Sequence, residues 1–371
     1  MNNRELRDLP LKTVGKEVLF LETDDTIVRV GEGAFVRLKD GTLVHAYTEY
    51  CGGNIHDNGE ANIAAIFSHD EGETWGEKRI LIQRGDAINL MSVSFLRLDT
   101  DEILIFYLKK TMRNGIVLCH PCVRSSFDEC RSFGEERCLV DPDAGTYYYV
   151  VNNDRVCRLK SGRIIVPAAR FDRVRGREPW GEEIYYIISD DNGASWRLLD
   201  VCHKMPFDNP HGFEEPGVYQ HDDGTLWSYY RTDIGCQFET VSSDDGETWT
   251  TPKPSVFFTS ARSPMLVKKV CGKHTVAIFN PISLYRARNL GGIRGRAPYL
   301  LAVSDTDGIG RDKEDFTRLY YVETDMDNDY SYPSIIDGDG YFLIAYYHSN
   351  GRTRPLNCLK IVKVNVDEIA E

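Results

Sequence analysis

Apolar residues along this chain come in short bursts rather than helical stripes. Six times, a charged or glycine-containing turn is followed by a run of β-branched and aromatic residues: LKDGTLVHAY (38–47), LDTDEILIFY (98–107), LKSGRIIVPA (159–168), HDDGTLWSYY (221–230), VCGKHTVAIF (270–279) and IDGDGYFLIAYY (336–347). Each reads as a hairpin, with Gly or Asp supplying the turn and strand-forming residues after it. Taking positions 41, 101, 162, 224, 272 and 340 as markers, the successive gaps are 60, 61, 62, 48 and 68 residues. Helical periodicity is nearly absent outside a turn at 364–371. Short strands at even spacing, without a long helix, predict an all-β fold: a six-bladed β-propeller with four-stranded antiparallel blades, in a single domain over 1–371.

A second, polar phrase recurs once per unit. It reads SHDEGETW at 68–75, SDDNGASW at 189–196 and SSDDGETW at 242–249. A fourth copy at 126–133 has Cys130 for the glycine and Phe133 for the tryptophan, and a degenerate fifth, SDTDGIG, occupies 304–310. Its chemistry is that of a turn lock: the Asp accepts backbone N–H groups, the Gly takes a positive φ and the aromatic staples the turn between neighbouring units. Repetition itself argues against catalysis, which needs unlike groups meeting once. The pattern S-x-D-x-G-x-[ST]-W is the Asp box, and six units carrying it resemble the sialidase (neuraminidase) superfamily of BNR-repeat propellers, over roughly residues 25–365.

Charge and composition narrow the partners. A net charge of −13 and a pI near 5.3 argue against nucleic acid and anionic membrane surfaces. No apolar run is long enough to span a membrane. The first residues, MNNRELRDLPLKTVGKEVLFLE, lack a secretory apolar core and predict a cytoplasmic protein. Ten cysteines in such a chain are expected to be reduced thiols. The lone Cys119-His120-Pro121-Cys122 spacing is a weak metal signal, and neither metal nor cofactor is expected.

In a propeller, ligands collect where loops entering the innermost strands converge. Those loops are VRVGEGAF (28–35), INLMSVSF (88–95), VVNNDRVC (150–157), FEEPGVYQ (213–220), SARSPMLV (260–267) and DYSYPSII (329–336). They abound in Asp, Glu, Tyr and Arg, as carbohydrate sites do, so a carbohydrate is the expected partner. The resemblance implies an arginine triad gripping a carboxylate, a Tyr nucleophile activated by Glu, and an Asp acid/base. Matching position by position, Glu215 takes the place of the glutamate, Arg231 and Arg296 of the second and third arginines, Tyr332 or its neighbour Tyr330 of the nucleophile, and Asp57 of the acid. Counting back from Leu38, the first arginine's place holds Gly31-Glu32-Gly33, with Arg29 two residues away. Glu32 there would repel a sialic acid.

Two catalytic chemistries are thus open: a sialidase-type Tyr332/Glu215 site, or a carboxylate pair of Glu32 and Glu215, aided by Asp57, Asp154 or Asp233, acting on another glycoside. Arg155 and Asp233 are further substrate-contact candidates. The competing classes are a non-catalytic glycan- or protein-binding propeller and a polysaccharide lyase using Tyr332, His348 and Arg231.

Overall fold

The structure, a computed structural model, describes residues 11–176, 181–283, 295–309, 318–351 and 356–370. Among them every element is a strand except one helical turn, Val366–Ile369. The strands form four sheets in which sequence neighbours pair antiparallel. Glu214–Gln220 leads one four-stranded sheet and Leu266–Val270 a second. Tyr330–Asp337 leads a third, whose outer strand, Lys16–Leu21, comes from the other end of the chain and pairs with Leu356–Asn365. The last sheet has thirteen strands in three antiparallel groups, led by Ile27–Arg37, Asn89–Arg97 and Cys157–Arg158. Single parallel bridges, Ala61 to Asn89 and Tyr148 to Cys119, join those groups.

The hairpin turns read from the sequence are all present. Gly41, Asp101, Gly162, Gly224, Gly272 and Gly340 have φ between 70° and 94°, and Asp101 alone adopts it with a side chain. The apolar runs are nearly continuous because their strands are covered on both faces. Val30, Leu43 and Ala64 of the first group pack against Leu343, Ala345 and Leu359 of the sheet led by Tyr330–Asp337. Ile165, Tyr186 and Ile188 pack likewise against Val218, Leu226 and Phe238. The core therefore lies between neighbouring sheets, each buried Val, Leu, Ile or Phe contributing about 1.5–3 kcal/mol.

The Asp boxes repeat one hydrogen-bond set. In the first, Ser68 Oγ donates to Asp70 Oδ1 at 2.8 Å and accepts from the Gly72 amide at 2.9 Å. Asp70 also accepts from the Thr74 amide at 2.9 Å and its hydroxyl at 2.5 Å. Asp128, Asp191 and Asp244 do the same with Ser132, Ser195 and Thr248. Cys130, at φ 61°, carries the left-handed conformation that glycine holds in the other three boxes. The box tryptophans staple neighbours as expected: Trp249 stacks on Tyr186 at 4.3 Å and Trp196 meets Phe106 edge-on at 5.7 Å. In the degenerate copy Ser304 Oγ turns to the Thr306 backbone, and Gly310 lies outside the described residues.

All ten cysteines are free thiols. Cys119 and Cys122 sit three apart on the strand Ile116–Ser126, so they face opposite sides, and Cys122 Sγ lies 3.3 Å from Cys138 Sγ instead.

Candidate active site

The leading strands share a backbone irregularity. Pairing register skips between Gly31 and Ala34, Met91 and Ser94, Glu214 and Gly217, and Ser331 and Ser334. Each skip is a β-bulge, which inserts an extra residue and re-aims its side chain. The inserted residues are Glu32, Ser92, Glu215 and Tyr332, at φ 51°, 59°, 43° and 58°. Asp154 and Arg262, just ahead of Cys157–Arg158 and Leu266–Val270, adopt the same conformation at 56° and 52°. A left-handed residue with a side chain costs about 1–2 kcal/mol, and such strain collects at functional sites. Five of these six side chains, all but Asp154, wall one cavity of about 330 Å³.

On one wall, the Tyr332 hydroxyl donates to Glu215 Oε1 at 2.9 Å. Arg231 fixes this pair, its Nη1 reaching Glu215 Oε2 at 2.5 Å and the Tyr332 oxygen at 3.3 Å, while its Nε lies 3.3 Å from Glu214 Oε2. Glu215 and Arg231 come from opposite ends of one hairpin; Glu214 and Arg231 are register partners on it. The Arg296 guanidinium lies 5.6 Å from the Tyr332 ring centre and donates to the Arg262 carbonyl at 3.0 Å. Burial, and then the nearby Glu215 charge, raises the Tyr332 pKa, so the phenol is neutral until a base takes its proton.

Facing it, Glu32 is 3% exposed, accepts from Ser92 Oγ at 2.6 Å and pairs with Arg29 Nη2 at 2.8 Å. Arg29 Nη1 reaches Asp57 Oδ1 at 2.6 Å, and Lys110 Nζ holds the Asp57 carbonyl at 2.5 Å. Burial raises the Glu32 pKa against the pull of Arg29. Burial also pushes Asp57 upward, but Arg29 and Lys110 outweigh it and the net shift is downward. Two carboxyls paired to one guanidinium are thus pushed apart in acidity, the usual arrangement for dividing acid and anion roles.

Of the residues picked from sequence, the fold brings together Glu32, Asp57, Glu215, Arg231, Arg296 and Tyr332. Tyr330 is corrected: it is fully buried, its hydroxyl bonds the Asp325 carbonyl at 3.0 Å, and it stacks among Tyr299, Tyr346 and His348. Plain alternation would put it on the same face as Tyr332, and the bulge between Ser331 and Ser334 breaks that alternation. Arg155 is also corrected: it walls a different cavity, with Lys268, and clamps the Met265 carbonyl at 2.5 Å. Asp154 pairs there with Lys268 at 2.6 Å. Asp233 stands behind the site, accepting from Asn209 at 2.8 Å. His348 stacks on Phe20 and Tyr330 rather than facing Tyr332, so the trio for a lyase is not assembled.

Arg29, two residues from Gly31-Glu32-Gly33, reaches the site by pairing with Glu32 and Asp57 at 2.8 and 2.6 Å. Ile27–Arg37 skips register twice, between Ile27 and Arg29 and between Gly31 and Ala34, so counting from the turn slips. Ser92, Lys110, Glu214 and Arg262 were also missed. Ser92 and Arg262 sit in the quoted loops at the position equivalent to Glu32 and Tyr332, and aligning those loops on the strand that follows would have found them.

The chain is similar to several known proteins. An anhydrosialidase of Macrobdella decora is 27% identical over 201 residues, half of this chain, and that stretch is a quarter of the relative's length. A protein of unknown function from Dyadobacter fermentans superposes with a TM-score of 0.71 at 17% identity, covering 95% of this chain and 98% of its own. An intramolecular trans-sialidase from Ruminococcus gnavus, solved with oseltamivir carboxylate, gives 0.71 at 16% identity with the same coverage. At those identities the solved structures establish a shared fold. A family model, BNR repeat-like domain, matches residues 41–344. By that match the chain belongs to the BNR repeat-like domain family.

Proposed function

We propose that this protein hydrolyses glycosidic bonds in the cavity between Tyr332 and Glu32. The observation that carries the reading is the 2.9 Å hydrogen bond from the Tyr332 hydroxyl to Glu215, held by Arg231. Glu215 takes the phenolic proton as the Tyr332 oxygen attacks the anomeric carbon. A protonated Glu32, favoured by its raised pKa, gives its proton to the departing glycosidic oxygen. Water then attacks the glycosyl–tyrosine bond, losing a proton to Glu32 and returning the phenoxide, which recovers its proton from Glu215. Asp57, held anionic, faces the positive charge that develops on the sugar ring. We further propose that the sheets close as a six-bladed propeller around this cavity. The packing of Ile27–Arg37 on Tyr330–Asp337, and the N-terminal strand completing the last sheet, support that closure.

The test is release of 4-methylumbelliferone from a panel of aryl glycosides by the wild type, Tyr332→Phe and Glu215→Gln. Glu215→Gln is expected to lower kcat about 10²–10⁴-fold, and Tyr332→Phe at least as much. Turnover in Tyr332→Phe equal to wild type would sink the reading. Activity should also fall as pH rises through the raised Glu32 pKa, because the proton donor is then lost.

A further inference from the structure

Building on that hydrolase reading, we infer that the sugar taken by this cavity carries no carboxylate. Three of the four arginines around the site are already committed to the protein's own acids. Arg29 spends Nη1 on Asp57, Nη2 on Glu32 and Nε on the Tyr347 hydroxyl at 2.9 Å. The Tyr50 and Tyr347 ring centres lie 4.8 and 4.9 Å from its guanidinium carbon. Arg231 is taken by Glu214 and Glu215. Arg262 lies 3.5 Å from Glu214 and bonds His211 at 2.7 Å. Among the described residues only Arg296 of this set has no carboxylate at ion-pair distance, and burial lowers its pKa, which disfavours a concentrated charge there.

The wall itself is rich in acids: Glu32, Asp57, Glu182, Glu214 and Glu215 line it. A carboxylated sugar would bring a further negative charge beside the buried Glu214 and Glu215, where like charges are screened least. An uncharged sugar meets the opposite situation. Its hydroxyls donate to carboxylates, the stronger kind of hydrogen bond. Its oxygens can accept from Asn152 Nδ2, which lines the cavity, is buried and has no partner among the described residues. Glu32 is the centre of this arrangement: held 2.8 Å from Arg29 Nη2, it fills the place a ligand's carboxylate would take.

The experiment measures turnover of 4-methylumbelliferyl N-acetylneuraminic acid against the corresponding galactosides and N-acetylglucosaminides, both anomers. It also measures the affinity of free N-acetylneuraminic acid against methyl glycosides of the neutral sugars. The wild type is expected to favour neutral probes at least tenfold. Glu214→Gln and Asp57→Asn, which release charge on Arg231 and Arg29, should tighten the acid at least threefold, with melting temperature checking that each variant is folded. A wild type that binds or cleaves the acid as well as the neutral sugars, or folded variants that leave its affinity unchanged, overturns the inference. The two readings fail separately. Neutral-sugar turnover surviving in Tyr332→Phe removes the hydrolase mechanism alone, whereas efficient Tyr332-dependent cleavage of the sialoside removes the charge inference alone. If no probe is cleaved, the mechanism falls and the binding ratio still decides the charge.

Discussion

Two sets of repeated positions lie at different places on the same sheets, and they repeat in opposite ways. The Asp boxes repeat their side chains: Asp70, Asp128, Asp191 and Asp244 each accept the same three hydrogen bonds from equivalent Ser and Thr residues. The bulges repeat only their backbone. Glu32, Ser92, Asp154, Glu215, Arg262 and Tyr332 share a left-handed φ but no side-chain chemistry. Identical side chains mark a common structural task. A common backbone carrying unlike side chains gives one pocket several different groups, and the strain of a side chain at positive φ is retained there because the side chain is used.

The sharpest way to break this contrast is to truncate a bulge residue. Glu215→Gly would relieve the left-handed strain and abolish turnover, leaving a folded protein with unchanged or higher melting temperature; retained activity would refute the assignment. Next in size is Asp244→Ala in a box. Removing the acceptor of the Ser242 hydroxyl and of the Thr248 amide and hydroxyl should lower stability by about 1–3 kcal/mol in urea melts, with kcat of the folded enzyme unchanged. A drop in kcat without loss of stability would erase the distinction.

The boxes also set an acid limit. Hydrogen bonds from Thr74 lower Asp70 to about 2, and those from Ser132 and Ser195 lower Asp128 and Asp191 to about 2, all from 3.8. Because the folded pKa is depressed, their stabilisation is complete above about pH 4 and is lost as pH falls through about 2. Thermal melts between pH 2 and 6 should show that decline, and Asp70→Asn should shrink it. The smallest effect is expected at Asp101, the one non-glycine turn marker, at φ 70°. Asp101→Gly should stabilise the protein by up to about 1 kcal/mol without touching activity, the exposed Lys39 pair being worth little.

Legibility followed the range of the interactions. Turns, boxes and strand runs were readable because each depends on residues within about ten positions of one another, and the structure reproduces them down to Cys130 in the glycine position. Glu215, Arg231, Arg296 and Tyr332 were readable through resemblance, and they do meet. Arg29 was left aside and Tyr330 was included for one reason: the bulges shift which residue faces the cavity. A single skipped register reverses every side chain beyond it, and nothing local in RVGEG or YSYP announces the skip.

The chain by itself therefore determined the repeated hairpin unit, its turn locks and the all-β class, since these follow from local backbone preference and hydrophobic patterning. Only the tertiary structure decided that Glu32 would occupy Arg29, that Ser92 and Arg262 would join the pocket, and that Tyr330 would not. Those outcomes depend on bulged pairings and on groups more than a hundred residues apart converging, where the direction of each side chain is fixed by its neighbours in space.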